Sequence, residues 1–184
     1  MNEAAYAKRL SAVVREMENT AGSADAAAVE RLVDAITEAK RIYVAAAGRS
    51  RLMLSCMAMR LMHIGLTAYV VGEVTAPAIG EGDLLIAASG SGETSTVVSI
   101  AQKAKKAGAA VAAITLHETS ALAQASGLCI ALSDRWMKQS VQIGASAFEQ
   151  AVLVLGDTLV CMAAQRLGIS NPNQLMKRLH SNLE

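Results

Sequence analysis

Aromatic residues are scarce in this chain: one tryptophan, three tyrosines and one phenylalanine among 184 residues, or 3%. The apolar mass, 53% of the sequence, is therefore carried mainly by alanine, valine, leucine, isoleucine and methionine. Such a mixture suits tightly packed α/β layers better than an all-β sandwich. A surplus of one charge is also missing, since 17 basic and 16 acidic residues leave a formal net charge of +1. That balance lacks the electrostatic footprint of DNA or RNA binding and the polybasic patch of a membrane-surface protein. Cysteines are few. Cys56, Cys129 and Cys161 stand far apart, each in an apolar run, with no CxxC pair or Cys/His cluster. Their spacing argues against a zinc site and for small buried hydrophobes in a reducing compartment. The charged, amphipathic start MNEAAYAKRLSAVVREMENT has no apolar stretch like that of a signal peptide. The longest purely apolar runs fall far short of the roughly 20 residues of a membrane span. The expectation is a cytoplasmic protein with no nucleic-acid and no membrane partner.

What is present is periodicity. Residues 2–20 place Ala5, Leu10, Val13, Val14 and Met17 at helical spacing, and a second helix starts near Ser23 or Asp25 with the stripe Val29, Leu32, Val33 and Ile36. The period then changes, and residues 42–47 read as a buried strand ended by Gly48. A helix capped by Ser50 runs to about His63. Further strands are expected over 68–71, 83–88, 111–116 and 128–132. Helices fall between them at 94–106, closed by Gly108, and at 120–125. A long apolar helix over 144–167 and a short one after Asn171-Pro172 complete the chain. Five short strands alternating with helices predict an α/β, doubly wound, flavodoxin-like parallel sheet. One domain over 1–184 is expected, with N-terminal helices in 1–40, the sheet core in 41–132 and C-terminal helices in 144–184.

The chemistry concentrates where two strands run into helices. Ser89-Gly90-Ser91-Gly92-Glu93-Thr94 follows a strand and opens a helix. Glycines there allow close approach of the backbone, and helix-start amides with the dipole behind them form an anion site. The loop has no lysine, so it is not the GxxxxGK[ST] nucleotide loop, and Ser95 breaks the GxGxxG spacing. A phosphate monoester on a small molecule fits better than a nucleotide triphosphate. The plain alternative is a Gly/Ser turn with Thr94 as a helix cap. Against it, residues 45–50 repeat the design, with Gly48, Arg49 and Ser50 at a second strand-to-helix turn. Arg49 is placed either to reach a phosphate or to form an intersubunit salt bridge.

"SGSGET" after a strand, with "GRS" some forty residues upstream, resembles the sugar isomerase (SIS) domain, which binds phosphosugars. The block "AMRLMHIGLTAYVVGEVTAPAIGEGDLLIAASGSGET" at 58–94, "SAFEQ" at 146–150 and "HSNLE" at 180–184 extend the likeness to the 6-phospho-3-hexuloisomerase family. The resemblance runs from about residue 42 to the last. It implies interconversion of D-arabino-3-hexulose 6-phosphate and D-fructose 6-phosphate through a cis-enediolate, in the ribulose monophosphate pathway of formaldehyde fixation. It also implies no metal or organic cofactor, a homotetramer (or homodimer), and functional coupling to hexulose-6-phosphate synthase. Two features depart from the family pattern. Arg51 stands where glycine is common and should crowd the first loop, and the segment 133–144 is shorter than usual.

Moving a carbonyl from C3 to C2 needs one carboxylate that takes the C2 proton and returns a proton at C3. Glu149, in the first turn of the most apolar helix, is the leading candidate, and the resemblance assigns its counterpart that role. The alternative is a first-turn acid that complements the helix dipole. Glu93 is the rival base, although facing a phosphate would repel it and it more readily positions its loop. Glu73 supports the site or faces a neighbouring subunit. His180, in the polar tail LMKRLHSNLE, corresponds by the resemblance to a histidine that assists ring opening, often from an adjacent subunit. His63 is read as a helix-end residue or a contact to substrate hydroxyls, and His117 as a surface loop residue. Met53, Met57, Met59 and Met62 sit at helical spacing as core or interface filler. The phosphosugar-binding set is thus Gly48, Arg49, Ser50, Ser89, Gly90, Ser91, Gly92, Glu93 and Thr94, with no metal ligand. Two other functions remain open: another phosphosugar isomerase such as arabinose 5-phosphate isomerase, and a non-catalytic phosphosugar sensor. The first commonly carries CBS modules and the second a helix-turn-helix, and neither is expected in these 184 residues.

Overall fold

Alternation along the strands decides how the sheet is covered. In β1 (Ile42–Ala46), Ile42 and Val44 point to one face and Tyr43 and Ala45 to the other, and all four are buried. The same holds in β3 (Leu84–Ala88), buried along its whole length. A strand buried on both sides reads as a continuous apolar run and lies inside a parallel sheet with helices on each face. The structure, a computed structural model, describes residues 3–135 and 139–183. It completes the sheet with β2 (Ala68–Val70), β4 (Ala110–Thr115) and β5 (Leu128–Ala131), in the order β2-β1-β3-β4-β5. Every pairing is parallel. This is the doubly wound sheet expected from the sequence, with strand ends shifted by a residue or two. Trp136, Met137 and Lys138 of the 133–144 segment, Glu184 of the C-terminal motif, and residues 1–2 lie outside the described residues.

One face is covered by α2 (Ala26–Glu38), α3 (Gly48–His63) and α6 (Ser146–Arg166). The other carries α4 (Ser95–Lys106) and α5 (Ala121–Ala125) over Tyr43, Ala45, Leu85, Ala87, Val111 and Ala113. α1 (Glu3–Ala21) lies along α6, and α7 (Pro172–Leu179) lies against α3. Helix α6 is long and apolar enough to cross a membrane by length and composition. Here it is the central helix of the core, with Phe148, Ala151, Val152, Leu159 and Ala163 fully buried. Gly156 lets it approach α3, because a Cβ at that position would stand 3.2 Å from Met57 Cβ.

Several side chains are not where periodicity put them. Cys56 and Cys161 are exposed and Cys129 is half-buried, so the cysteines are not all core residues. Cys56 and Cys161 fall on the outward faces of α3 and α6, which local apolar context cannot distinguish from inward ones. Of the methionines read as core or interface filler, Met57 is in the core and Met59 and Met62 are exposed on α3; Leu10 and Val14, at helical spacing on α1, are exposed with Tyr6. Ser50 does not cap α3; the helix begins two residues earlier, after Ala47, because Gly48 adopts a φ of +57° and turns the chain directly from strand to helix.

At the opposite edge of the sheet from the strand carboxyl ends, Asp83 is buried between β1 and β3. It accepts from Arg41 Nε at 2.9 Å, Arg41 Nη2 at 2.7 Å and Gly80 N at 2.9 Å. The Arg41 bonds outweigh burial and hold the Asp83 carboxyl below the usual carboxylate range. Its folded-state value lies below the unfolded one, near 3.9, so its stabilisation is complete above that value and is lost as pH falls through the folded one. Asp83→Asn is expected to cost about 2 kcal/mol at pH 7, through donors left without a charged acceptor. Urea unfolding at pH 7 and pH 3 checks this; the gap between wild type and variant should narrow at the lower pH.

Candidate active site

The carboxyl ends of β1 and β3 are neighbours, with Ala46 paired to Ala88. From β1 the chain leaves toward β2 on one side, while β3 lies on the other, so the winding reverses between them. Open parallel sheets bind ligands in the crevice at such a point. Both glycine–hydroxyl turns fall there. They form an open ledge on which Gly48, Arg49, Ser91 and Glu93 are exposed and Ser50, Ser89 and Gly92 form the buried base.

Ser89 organises the second turn. Its Oγ lies 2.9 Å from Thr94 Oγ1 and accepts the Gly92 amide at 3.1 Å. The Glu93 amide donates to Ser91 Oγ at 3.2 Å. The carbonyls are tied backward: Gly90 O accepts from Leu116 N at 3.1 Å and from Thr115 Oγ1 at 3.3 Å, and Gly92 O accepts from Leu122 N at 2.9 Å. Because Thr94 is turned to Ser89, it makes no side-chain cap on α4. Neither Ala47 nor Ala145 caps α3 or α6. By contrast Asp25, Ser120 and Asn171 close the starts of α2, α5 and α7 with side-chain bonds. Among the helices whose N-cap residue is described, the three whose first turns meet at the crevice are thus the ones left open. Their amides and dipoles favour an anion there.

Glu149 enters from the first turn of α6. The preceding residue, Phe148, lies under the loop, 3.3 Å from where a Cβ on Gly90 would stand. The Glu149 side chain is only 14% exposed, and its Oε2 accepts from Arg49 Nε at 2.5 Å. Arg49 therefore forms an ion pair within the chain, with a partner not anticipated from sequence. Glu93 turns the other way, its Oε1 accepting the Ala121 amide of α5 at 2.8 Å. Arg51 does not crowd the first loop. Its guanidinium leaves α3 sideways to Glu73 at 3.0 Å.

The histidines lie elsewhere. His63 ends α3, whose start carries Arg49, so the helix separates them by about 21 Å at 1.5 Å per residue. His180 follows α7 and stacks on His63, with centroids 5.2 Å apart and planes at 16°. Burial, then the charges of Arg60 and His180, push the His63 imidazole below its ordinary value, so it is not a charged helix-end group at neutral pH. A cavity of about 560 Å³ between α3, α6 and α7 includes His63 in its wall. Within one chain, neither His63 nor His180 reaches the ledge. His117 is exposed, as expected.

The sequence reading missed three supports. Thr115 and Ser120 form the wall behind Gly92, and Gln150 Oε1, one residue from Glu149, is buried with no hydrogen-bond partner among the described residues. A hydroxyl at a strand's carboxyl end is the signal that marked Ser89, and it would have marked Thr115. Taken together, these features define a doubly wound α/β protein with a crevice lined by uncapped helix starts and a carboxylate largely shielded from solvent.

Residues 35–149 match the SIS domain. A 3-hexulose-6-phosphate isomerase of Bacillus subtilis is 35% identical over 94% of this chain and 95% of its own length. That of Mycobacterium gastri is 44% identical over 82% of this chain and 78% of its own. A crystal structure from Methanococcus jannaschii, for which a 3-hexulose-6-phosphate isomerase function has been inferred, superposes with a TM-score of 0.81. It is 29% identical, covering 96% of this chain and 99% of that one. The chain belongs to the SIS-domain family and, within it, to the 3-hexulose-6-phosphate isomerases.

Gly92 offers a direct check of the loop. Its φ is +67°, and a Cβ there would overlap the Ser120 side chain and stand 2.9 Å from Thr115 Oγ1. At Gly48 nothing lies within 4 Å, so only the backbone conformation resists substitution. Gly48→Ala is expected to cost about 1–2 kcal/mol and Gly92→Ala clearly more, together with phosphosugar affinity. Thermal unfolding and fructose 6-phosphate titration of the two variants measure this; equal costs would place the strain elsewhere.

Proposed function

We propose that the chain interconverts D-arabino-3-hexulose 6-phosphate and D-fructose 6-phosphate through a cis-enediolate, with Glu149 moving the proton. The relatives named for this activity support the reaction. The observation that carries the assignment of residues is the largely shielded Glu149 carboxylate, paired with the exposed Arg49, beside three uncapped helix starts.

The substrate phosphate lies on the turn Ser89 to Thr94, against the first amides of α4, with Gly48 and Ser50 closing the other side. Glu149 takes the proton from C2, the electrons move into the C2–C3 bond, and the C3 carbonyl oxygen becomes the enediolate oxygen. The same carboxyl then returns a proton to C3 as the C2 oxygen becomes the carbonyl. The hydroxyl proton passes from O2 to O3, and the reaction balances without an external oxidant or reductant. As Glu149 is neutralised, negative charge appears on the sugar, and Arg49 stands at the boundary between the two positions. A fixed cation there stabilises the enediolate more than the ground state. Glu93 holds the loop to α5 and takes no proton.

Because His180 lies at the far end of α3 from Glu149, it opens the sugar ring in the site of a neighbouring copy. The chain acts as a homotetramer or homodimer in the cytoplasm, where hexulose-6-phosphate synthase supplies its substrate. Exposed Tyr6, Leu10 and Val14 on α1 and Leu52 and Met59 on α3 support assembly, since such stripes seek cover.

In deuterated water with fructose 6-phosphate, NMR should follow deuterium into the substrate for wild type, with a loss of about a hundredfold or more in Glu149→Gln. Undiminished exchange in the variant would move the base elsewhere. Mixing Glu149→Gln with His180→Ala under subunit exchange should restore part of the activity each lacks alone. No recovery would mean that His180 does not work across an interface.

A further inference from the structure

Glu149 is only as well placed as the chain that delivers it, and that chain has little of its own to hold it. Residues 140–145 run without helix or strand into Ser146, the first residue of α6, and the Glu149 amide bonds back to Ala145 O at 3.0 Å. Large apolar side chains do not anchor this approach, since Val141 is 41% exposed and Ile143 92%, and only Ala145 packs against the core. Its anchor is polar and comes from α1. The carboxylate of Glu16 accepts from Val141 N at 2.7 Å on Oε1, and from Ser140 Oγ at 2.7 Å and Gln142 Nε2 at 3.0 Å on Oε2. The Gln142 amide in turn donates to Ser140 Oγ at 3.0 Å, so the three residues close around one acceptor. At the start of the same connection the Ser133 amide donates to Ser23 Oγ, in the turn after α1, at 2.8 Å.

We infer that Glu16 is a positioning residue for the isomerisation, clamping residues 140–142 so that α6 begins where Glu149 meets Arg49 and the substrate. Three donors from three consecutive residues converge on one carboxylate more than a hundred positions away, and an ionised acceptor makes each bond stronger than a neutral one would. Burial works to raise the Glu16 carboxyl, but the Val141, Ser140 and Gln142 bonds outweigh it and hold it below the usual carboxylate range, so the acceptor is ionised at neutral pH. Catalysis is sensitive to displacements of this kind, because an error of about 1 Å in a reacting group costs about a hundredfold. The phosphate loop shares none of these bonds, so loss of the clamp separates turnover from binding. The inference rests on the reading of Glu149 as the base.

The experiment compares wild type, Glu16→Ala, Ser140→Ala and Glu149→Gln by steady-state kinetics, fructose 6-phosphate titration and amide hydrogen exchange. Glu16→Ala should lower kcat about tenfold or more, with KM within about twofold and binding stoichiometry unchanged. Amide protection over 141–149 should fall while that over 90–98 stays. Ser140→Ala removes one of the three donors on an exposed segment and should give a smaller effect in the same direction, which keeps the test open if Glu16→Ala folds poorly. Unchanged protection over 141–149 overturns the clamp, and lost protection with unchanged kcat overturns its catalytic role. Failure of the base reading registers separately, as turnover retained in Glu149→Gln, a variant that leaves Glu16 and its partners intact.

Discussion

Ser89 is the residue on which the site turns. One hydroxyl faces both Thr94 Oγ1 and the Gly92 amide, and in doing so removes from α4 the side chain that would have capped it. An absent cap typically costs about 1 kcal/mol. Here three helices converge without one, while three others of the same chain are capped. The cost is local and the compensation is not: two buried sheet faces and a central apolar helix provide far more stabilisation than the open turns give up. The alanines at the strand ends, Ala45 and Ala46 in β1 and Ala87 and Ala88 in β3, leave room for the turns to sit close together.

The second constraint is α6. Its length is buried in the core, and the only acidic residue of its first turn is Glu149. Phe148 beneath Gly90 and Gly156 against Met57 set the depth and height of the helix. The charge arrangement follows: Arg49 on α3 and Glu149 on α6 meet across the crevice because their helices are packed together, not because either residue seeks the other in sequence. The same two helices carry His63 and Cys161 toward their other ends, where both line a separate cavity and His63 stacks on His180. The protein thus has two chemically distinct ends. The open helix starts are at one end and the stacked histidines at the other.

Much of this was legible beforehand, for identifiable reasons. The strands followed from continuous apolar runs, and the helix starts near Ser23 or Asp25 and at Asn171-Pro172 were legible from short polar residues before a helical pattern, with Asp25 and Asn171 found as the caps. The two turns stood out because glycine beside hydroxyls after a strand is chemically unusual. The cysteines were read less well: Cys56 and Cys161 have apolar neighbours in sequence yet face outward. The pairs Arg49–Glu149 and Arg51–Glu73 were not legible either, since nothing local distinguishes a guanidinium that meets a phosphate from one that meets a carboxylate.

By itself the sequence determined the α/β class, the places where strand gives way to helix, and the residue types offered at those turns. These depend on φ/ψ preferences and on periods of two and 3.6, which act over a few neighbouring residues. Only the tertiary structure decided that Glu93 would bond to α5 while Glu149 would face Arg49, that Thr94 would leave its helix uncapped, and that Glu16 would hold the approach to α6. Each of those outcomes depends on how whole helices cross and how deeply they sit. That geometry is set by the combined packing of side chains far apart in the chain, so no window of sequence contains it.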